Sequence, residues 1–185
     1  MNKKIFVALL CLVLVSCFAF AACDVSPEQL ILDQLSEQFK NAKEANVSVT
    51  VRGNSEVVAT ELVKYDFVNG KKTTTKRVPN TDFASDSAWK ETVETVNITP
   101  AGVAFKWKMK SFSTIALDNL TLNGTLSGEA IKENLGVEAN QVRGDVSVAI
   151  TVTGDLVQQA VEIVKVEISY VSANGNSVSM LVTIK

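Results

Sequence analysis

The chain has 185 residues, 18 Lys and Arg against 20 Asp and Glu, no histidine, and three cysteines at positions 11, 17 and 23. Without imidazole there is no Ser-His or Cys-His nucleophile pair, no histidine general base and no histidine-ligated metal. The same composition excludes a strongly basic nucleic-acid binder, since no run of Lys and Arg clusters to neutralise phosphates.

The N-terminus carries Lys3 and Lys4, then an apolar or small stretch from Ile5 to Ala22 that ends at the first acid, Asp24. A positive start followed by an apolar core is the pattern of an export signal. Two cysteines stand where such signals are cut and lipidated. Leu14-Val15-Ser16-Cys17 and Phe20-Ala21-Ala22-Cys23 both resemble the lipobox of bacterial lipoproteins. In that family a signal peptidase cuts before the cysteine, whose sulfur carries a diacylglyceryl group. Cys23 is the preferred anchor, because cutting at Cys17 leaves the apolar Phe18 to Ala22 behind the lipid, whereas Asp24-Val25-Ser26 reads as a polar tether. Cys17 is the alternative, beside secretion after Ala19-Phe20-Ala21 and an uncleaved anchor. The expected organisation is a signal peptide over 1–22, a lipidated cysteine and short tether over 23–26, and one extracytoplasmic domain over 27–185. Acyl chains contribute roughly 0.8 kcal/mol per buried CH2, so a doubly or triply acylated domain stays on its membrane. The processed chain would hold 163 residues with 16 basic and 20 acidic side chains, and its only cysteine would be the lipidated one. Disulfides and thiol chemistry are then excluded.

In chain order, the first expected element is a helix over about 27–44. Ser26 suits its N-cap, Pro27 its first position, and Gln29 completes a capping box. Ile31, Leu35, Phe39 and Ala42 recur at helical spacing with Leu32 beside them. From Asn46 the period falls to two. Val47, Val49 and Val51 alternate with polar residues, as do Val103, Phe105, Trp107 and Met109, then Val146, Val148, Ile150 and Val152, then Val164, Val166, Ile168 and Tyr170, and finally Val178, Met180, Val182 and Ile184. Each set predicts an antiparallel strand with one wet face.

Asn69-Gly70 and Asn174-Gly175 predict two-residue type I′ hairpins. Thr153-Gly154-Asp155 predicts a turn that leaves 156–160 undecided between strand and helical turn, and a parity slip at Asp118-Asn119 predicts a bulge or bend. A second, short helix is expected at 128–135, closed by Gly136. The stretch 81–96 stays open, with 82–90 as loop or helical turn. No Pro/Ser/Gly linker and no internal repeat divides the chain, so the expectation is a single domain: mainly β (α+β), a curved antiparallel sheet of about 8–10 strands with the N-terminal amphipathic helix on its apolar face.

Candidate chemistry is sparse. Ser87 and Lys90 have Ser-x-x-Lys spacing, but its companion motifs are missing. Glu91 with Glu94, and Asp82 with Asp86, read as solvated carboxylates rather than an acid/base pair. No catalytic residue, metal site or cofactor is predicted. Lys106, Lys108 and Lys110, and Lys71, Lys72, Lys76 and Arg77, read as solvated or edge-protecting lysines, with an anionic surface as the functional alternative. An export signal, a capped helix leading into Val47-Ser48-Val49-Thr50-Val51, and a meander of strands together resemble the element order of LolA/LprG-type lipoprotein and lipid carriers. The resemblance covers most of the domain in element order only and carries over no site residue. It implies a half-barrel with an acyl-chain pocket.

Two functions follow as expectations. The first is a membrane-anchored extracytoplasmic lipoprotein with a non-enzymatic binding or envelope-structural role, held to its membrane through the N-terminal lipid. The alternative is a carrier of lipid or another apolar ligand, lined by Phe105, Trp107 and Met109.

Overall fold

A computed structural model describes residues 25–81, 87–98, 107–135 and 139–185. The signal, Cys17, Cys23, Phe105, Lys106, Gly136, and the pair Asp82 and Asp86 lie outside the described residues.

Helix α1 spans Pro27–Asn41. The Ser26 hydroxyl accepts a hydrogen bond from the Gln29 backbone N–H at 3.2 Å, which satisfies one of the donors left over at a helix start. The reciprocal half of the expected box is not made: the Gln29 side chain donates to the Asp33 carboxylate one turn on, at 2.7 Å. The helix ends three residues earlier than expected, because Ala42 turns to an extended conformation and the chain enters the sheet at Glu44.

The strands are β1 (Glu44–Gly53), β2 (Glu56–Asp66), β3 (Lys71–Pro79), β4 (Trp89–Asn97), β5 (Phe112–Asp118), β6 (Thr121–Leu126), β7 (Val142–Asp155), β8 (Ala160–Ser172) and β9 (Ser177–Ile184). Helix α2 covers Gly128–Leu135, as the spacing predicts. The nine strands form one curved, open sheet in the order β4-β3-β2-β1-β9-β8-β7-β6-β5, antiparallel throughout. Two meanders run outward from the middle, and the first and last strands pair to join them, with Val47 opposite Val182 and Val49 opposite Met180. This is a mainly β fold with a helix on the sheet, as expected.

The core lies between α1 and the β5–β9 half. Ile31, Leu32 and Leu35 are fully buried, and they face Val146, Val148, Ile150 and Val152 of β7 and Val166 and Ile168 of β8. Each such aliphatic contributes roughly 1.5–3 kcal/mol on burial. Gly124 opens a place for an aromatic: a Cβ there would stand 2.6 Å from the Phe112 ring, which also meets Trp107 edge-on at a centroid distance of 5.8 Å.

Strand β8 corrects the sequence pattern. Thr151 faces Lys165 but Val152 faces Ile163, so Val164 is an extra residue without a partner across the ladder, and it is 48% exposed. The bulge flips the parity, so Val161 and Ile163 before it and Val166 and Ile168 after it all point into the core. The free backbone at the bulge is taken up by α1. The Gln38 amide donates to the Ile163 carbonyl at 3.0 Å and accepts from the Ile163 N–H at 2.8 Å.

The hairpins differ from expectation in a consistent way. The turn after β2 uses four residues, 67–70, with Asp66 opposite Lys71. Asp66 holds that loop, accepting from the Asn69 backbone at 2.9 Å and side chain at 2.7 Å. The turn after β8 uses three, 173–175, closed by the Gly175 N–H on the Ser172 carbonyl at 2.8 Å, with Gly175 at φ +84°. Its shape is a type I turn plus a left-handed residue. Positive φ at two successive residues occurs instead at Asn54 and Ser55, between β1 and β2. The parity slip at Asp118-Asn119 is no bulge but a two-residue hairpin, Asp118 facing Thr121 across Asn119 and Leu120. The turn expected at Thr153-Gly154-Asp155 sits later, at 156–159, and β7 runs on to Asp155.

Candidate binding face

Alternation places one side of every strand towards α1. On that face, residues follow one another across the β1–β4 half in rows: Val182, Val47, Val63, Thr74 and Glu94 in one, and Met180, Val49, Glu61, Lys76 and Thr92 in the next. Each row starts apolar beside the core and ends polar at the outer strand. Val63 is buried, whereas Val47, Val49, Val51 and Met180 are half-buried and every residue of β4 is exposed. The outcome is an apolar strip along β1 and β9 bordered by charge.

The border is built from β2 and β3. Lys76 bridges Glu61 at 3.3 Å. Lys72 lies 5.9 Å from the centre of the Tyr65 ring, its cross-strand neighbour, close enough for a cation–π attraction. Tyr65 stacks on Phe67 at 5.9 Å, and Phe67 meets Phe39 of α1 edge-on at 5.6 Å, so a file of aromatics links the helix to the lysine. Burial, and then the Glu61 carboxylate, raise the Tyr65 phenol above its ordinary pKa. The phenol stays protonated and can donate a hydrogen bond.

The basic group of β3 therefore divides between two faces. Lys72 and Lys76 point towards the helix side, while Arg77 points to the outer side and bridges Glu91 at 2.6 Å. Ser87 and Lys90 do not form a nucleophile pair: Lys90 is on an extended strand, and the Ser87 hydroxyl donates to the Trp89 carbonyl at 2.7 Å. On the opposite face of the β5–β8 half a shallow depression of about 430 Å³ runs between Thr114, Thr125, Ser147 and Ser169. Among the described residues no group of three or more acids or cysteines converges as a metal site, and no helix is long and apolar enough to cross a membrane.

Of the residues expected to line a ligand cavity, Trp107 and Met109 are among the described residues. The strand expected over 103–110 is not formed by its described part. Trp107 and Lys108 are irregular, and Met109–Ser111 make a 3₁₀ turn. Trp107 is 2% exposed and packs on Phe112, while Met109 is half-buried against the same core. Lys108 and Lys110 are exposed. The strip beside Tyr65 was not marked by sequence reasoning. The Asn54-Ser55 turn alone would set Val47 opposite Leu62; Val58 is an extra residue between Arg52↔Val57 and Val51↔Ala59, and this bulge brings Val63 and Tyr65 onto the face of Val47.

No family model and no curated protein matches the chain. Among solved structures it is similar to LprF from Mycobacterium bovis, at 14% identity over 86% of this chain and 92% of that one, with a TM-score of 0.43. It is also similar to a redesigned beta barrel, at 9% identity over 82% and 96% with a TM-score of 0.25. A third likeness is to the bifunctional dehydratase-cyclase domain in ambruticin biosynthesis, at 9% identity over 85% and 80% with a TM-score of 0.24. At these values the likenesses transfer no function to this chain.

Proposed function

We propose that this chain is an exported lipoprotein, anchored through Cys23, whose domain acts by binding on the outer side of its membrane and not by catalysis. One observation carries the binding role: on the helix-facing side of the sheet, apolar Val47, Val49, Val51 and Met180 are left half-buried directly beside the Glu61–Lys76 pair. A surface of this make-up buries apolar area against a partner while its charges fix orientation. The anchor rests on the lipobox-like Phe20-Ala21-Ala22-Cys23 and the polar residues after it. Metabolic labelling with a fatty-acid analogue is expected to mark the wild-type protein and to disappear in Cys23→Ala. Labelling that survives there and vanishes in Cys17→Ala would move the anchor to Cys17.

A second reading, carriage of a lipid or another apolar ligand, is favoured by the continuity of the strip with the core through Val182, Val47 and Val63. Native mass spectrometry of the domain expressed from Asp24 onward separates the two. A co-purifying apolar molecule that is lost in Val49→Lys supports carriage. A ligand-free spectrum after expression in the native host leaves a protein partner as the occupant of the face.

A further inference from the structure

Strand β4 ends the sheet on one side, pairs with β3 over nine residues without a break in register, and is exposed at every position. The other end is protected differently. Strand β5 is shorter, its register breaks after Phe112, and the 3₁₀ turn and α1 pack against it. A long, unbroken edge without an internal proline is the kind that pairs with another chain.

The direction of the free groups on β4 follows from its ends. The Asn80 N–H donates to the Ala88 carbonyl at 2.9 Å, and the Ile98 N–H donates to the Gly70 carbonyl at 2.8 Å. Peptide groups alternate sides along a strand, so Lys90, Thr92, Glu94 and Val96 bond to β3. Glu91, Val93 and Thr95 aim their N–H and C=O groups at the open edge. No described residue pairs with that edge.

We infer that β4 is a self-association strand, pairing antiparallel with β4 of a second copy about a two-fold axis at Thr92. Two copies must set outward-aimed residues opposite one another, which leaves only alternate registers open. Centring the pair on Glu91 or on Glu94 puts a carboxylate against itself, and centring it on Val93 leaves every charge unmatched. The register centred on Thr92 sets Lys90 opposite Glu94 of the second copy, twice, on the face that looks towards the helix. Glu91 then falls opposite Val93 of the second copy, its charge already met by Arg77 of its own chain at 2.6 Å. Charge complementarity thus selects one register.

The test uses the full-length chain in mild detergent with Cys11, Cys17 and Cys23 replaced by Ser. In the proposed register Thr92 faces itself in a non-hydrogen-bonded pair, with Cα atoms about 4.5 Å apart, which suits a disulfide. Oxidation is expected to link Thr92→Cys into a dimer and to leave Val93→Cys unlinked, although Val93 is 58% exposed. In sedimentation, Glu94→Lys should weaken the parent dimer at least tenfold, and the swap Lys90→Glu/Glu94→Lys should restore it. Val93→Pro, which costs no bond to β3, should abolish the dimer with an unchanged circular dichroism spectrum. A parent that stays monomeric at every concentration overturns the inference. So does equal linking of the two cysteine variants, or a swap that fails to rescue.

Discussion

The two halves of this sheet have the same strand period and the same antiparallel pairing, yet they have opposite fates. In the β5–β9 half, the alternating face meets α1, and Val146, Ile150 and Val166 lose essentially all contact with water. In the β2–β4 half the same face carries Glu61, Lys72, Lys76 and Glu94 and stays wet, while the outer face shows Val93, 58% exposed. Period alone makes a strand. The identity of the residues on the inner parity decides whether a strand joins a core or keeps a solvent-exposed face.

That contrast can be broken at its strongest point first. Leu35→Ala removes a fully buried side chain between α1 and the sheet and is expected to cost about 2–5 kcal/mol. Val93→Ala on β4 should stay within about 0.5 kcal/mol. Both are read from urea unfolding, and similar losses at the two positions would mean that the halves are equally packed.

A smaller effect is expected where the helix grips the bulge. Gln38→Ala leaves the Ile163 N–H and C=O without their partners, at a cost of about 1–3 kcal/mol. Gln38→Glu keeps the acceptor for the Ile163 N–H and loses the donor to its carbonyl, so it should fall between. Amide exchange at Ile163 would report the same ranking locally.

The smallest effect lies in the open half, at the loop after β2. The Asn69 side chain, followed by its backbone N–H, holds the Asp66 carboxyl below its ordinary pKa. A carboxylate lowered in the folded state adds stability that is present above its unfolded pKa and is lost as pH falls through the folded value. Asn69→Ala should raise the Asp66 pKa towards ordinary in a carboxyl NMR titration and shorten the acid limb of the stability profile. An unmoved Asp66 would show that the side-chain hydrogen bond does not set it.

Several of these features were legible in the chain before folding. Ser26 and Pro27 mark the start of α1, and Ile31, Leu35 and Phe39 mark its buried stripe, because capping and helical spacing are local. The alternations at 146–152 and 178–184 give β7 and β9 with the correct inward side. The apolar strip along β1 and β9 was less accessible. Trp107 looked like a strand residue because it alternates with lysines, but it lies outside any strand and packs edge-on against Phe112, whose ring sits over Gly124. Gln38 gave a faint signal as a polar residue within a buried stripe.

The sequence by itself determined the elements and their sides, since period, cap and turn residues act within a few positions of the chain. It determined the exclusion of histidine chemistry, and its N-terminal pattern led to the lipidated, exported reading. Tertiary structure alone decided that β1 lies beside β9, that β8 takes an extra residue at Val164, and that α1 packs on the β5–β9 half while β4 stays exposed at every position. These depend on which distant surface arrives to cover or pair with a strand. Hydrophobic burial and ladder hydrogen bonds between residues more than a hundred positions apart settle that.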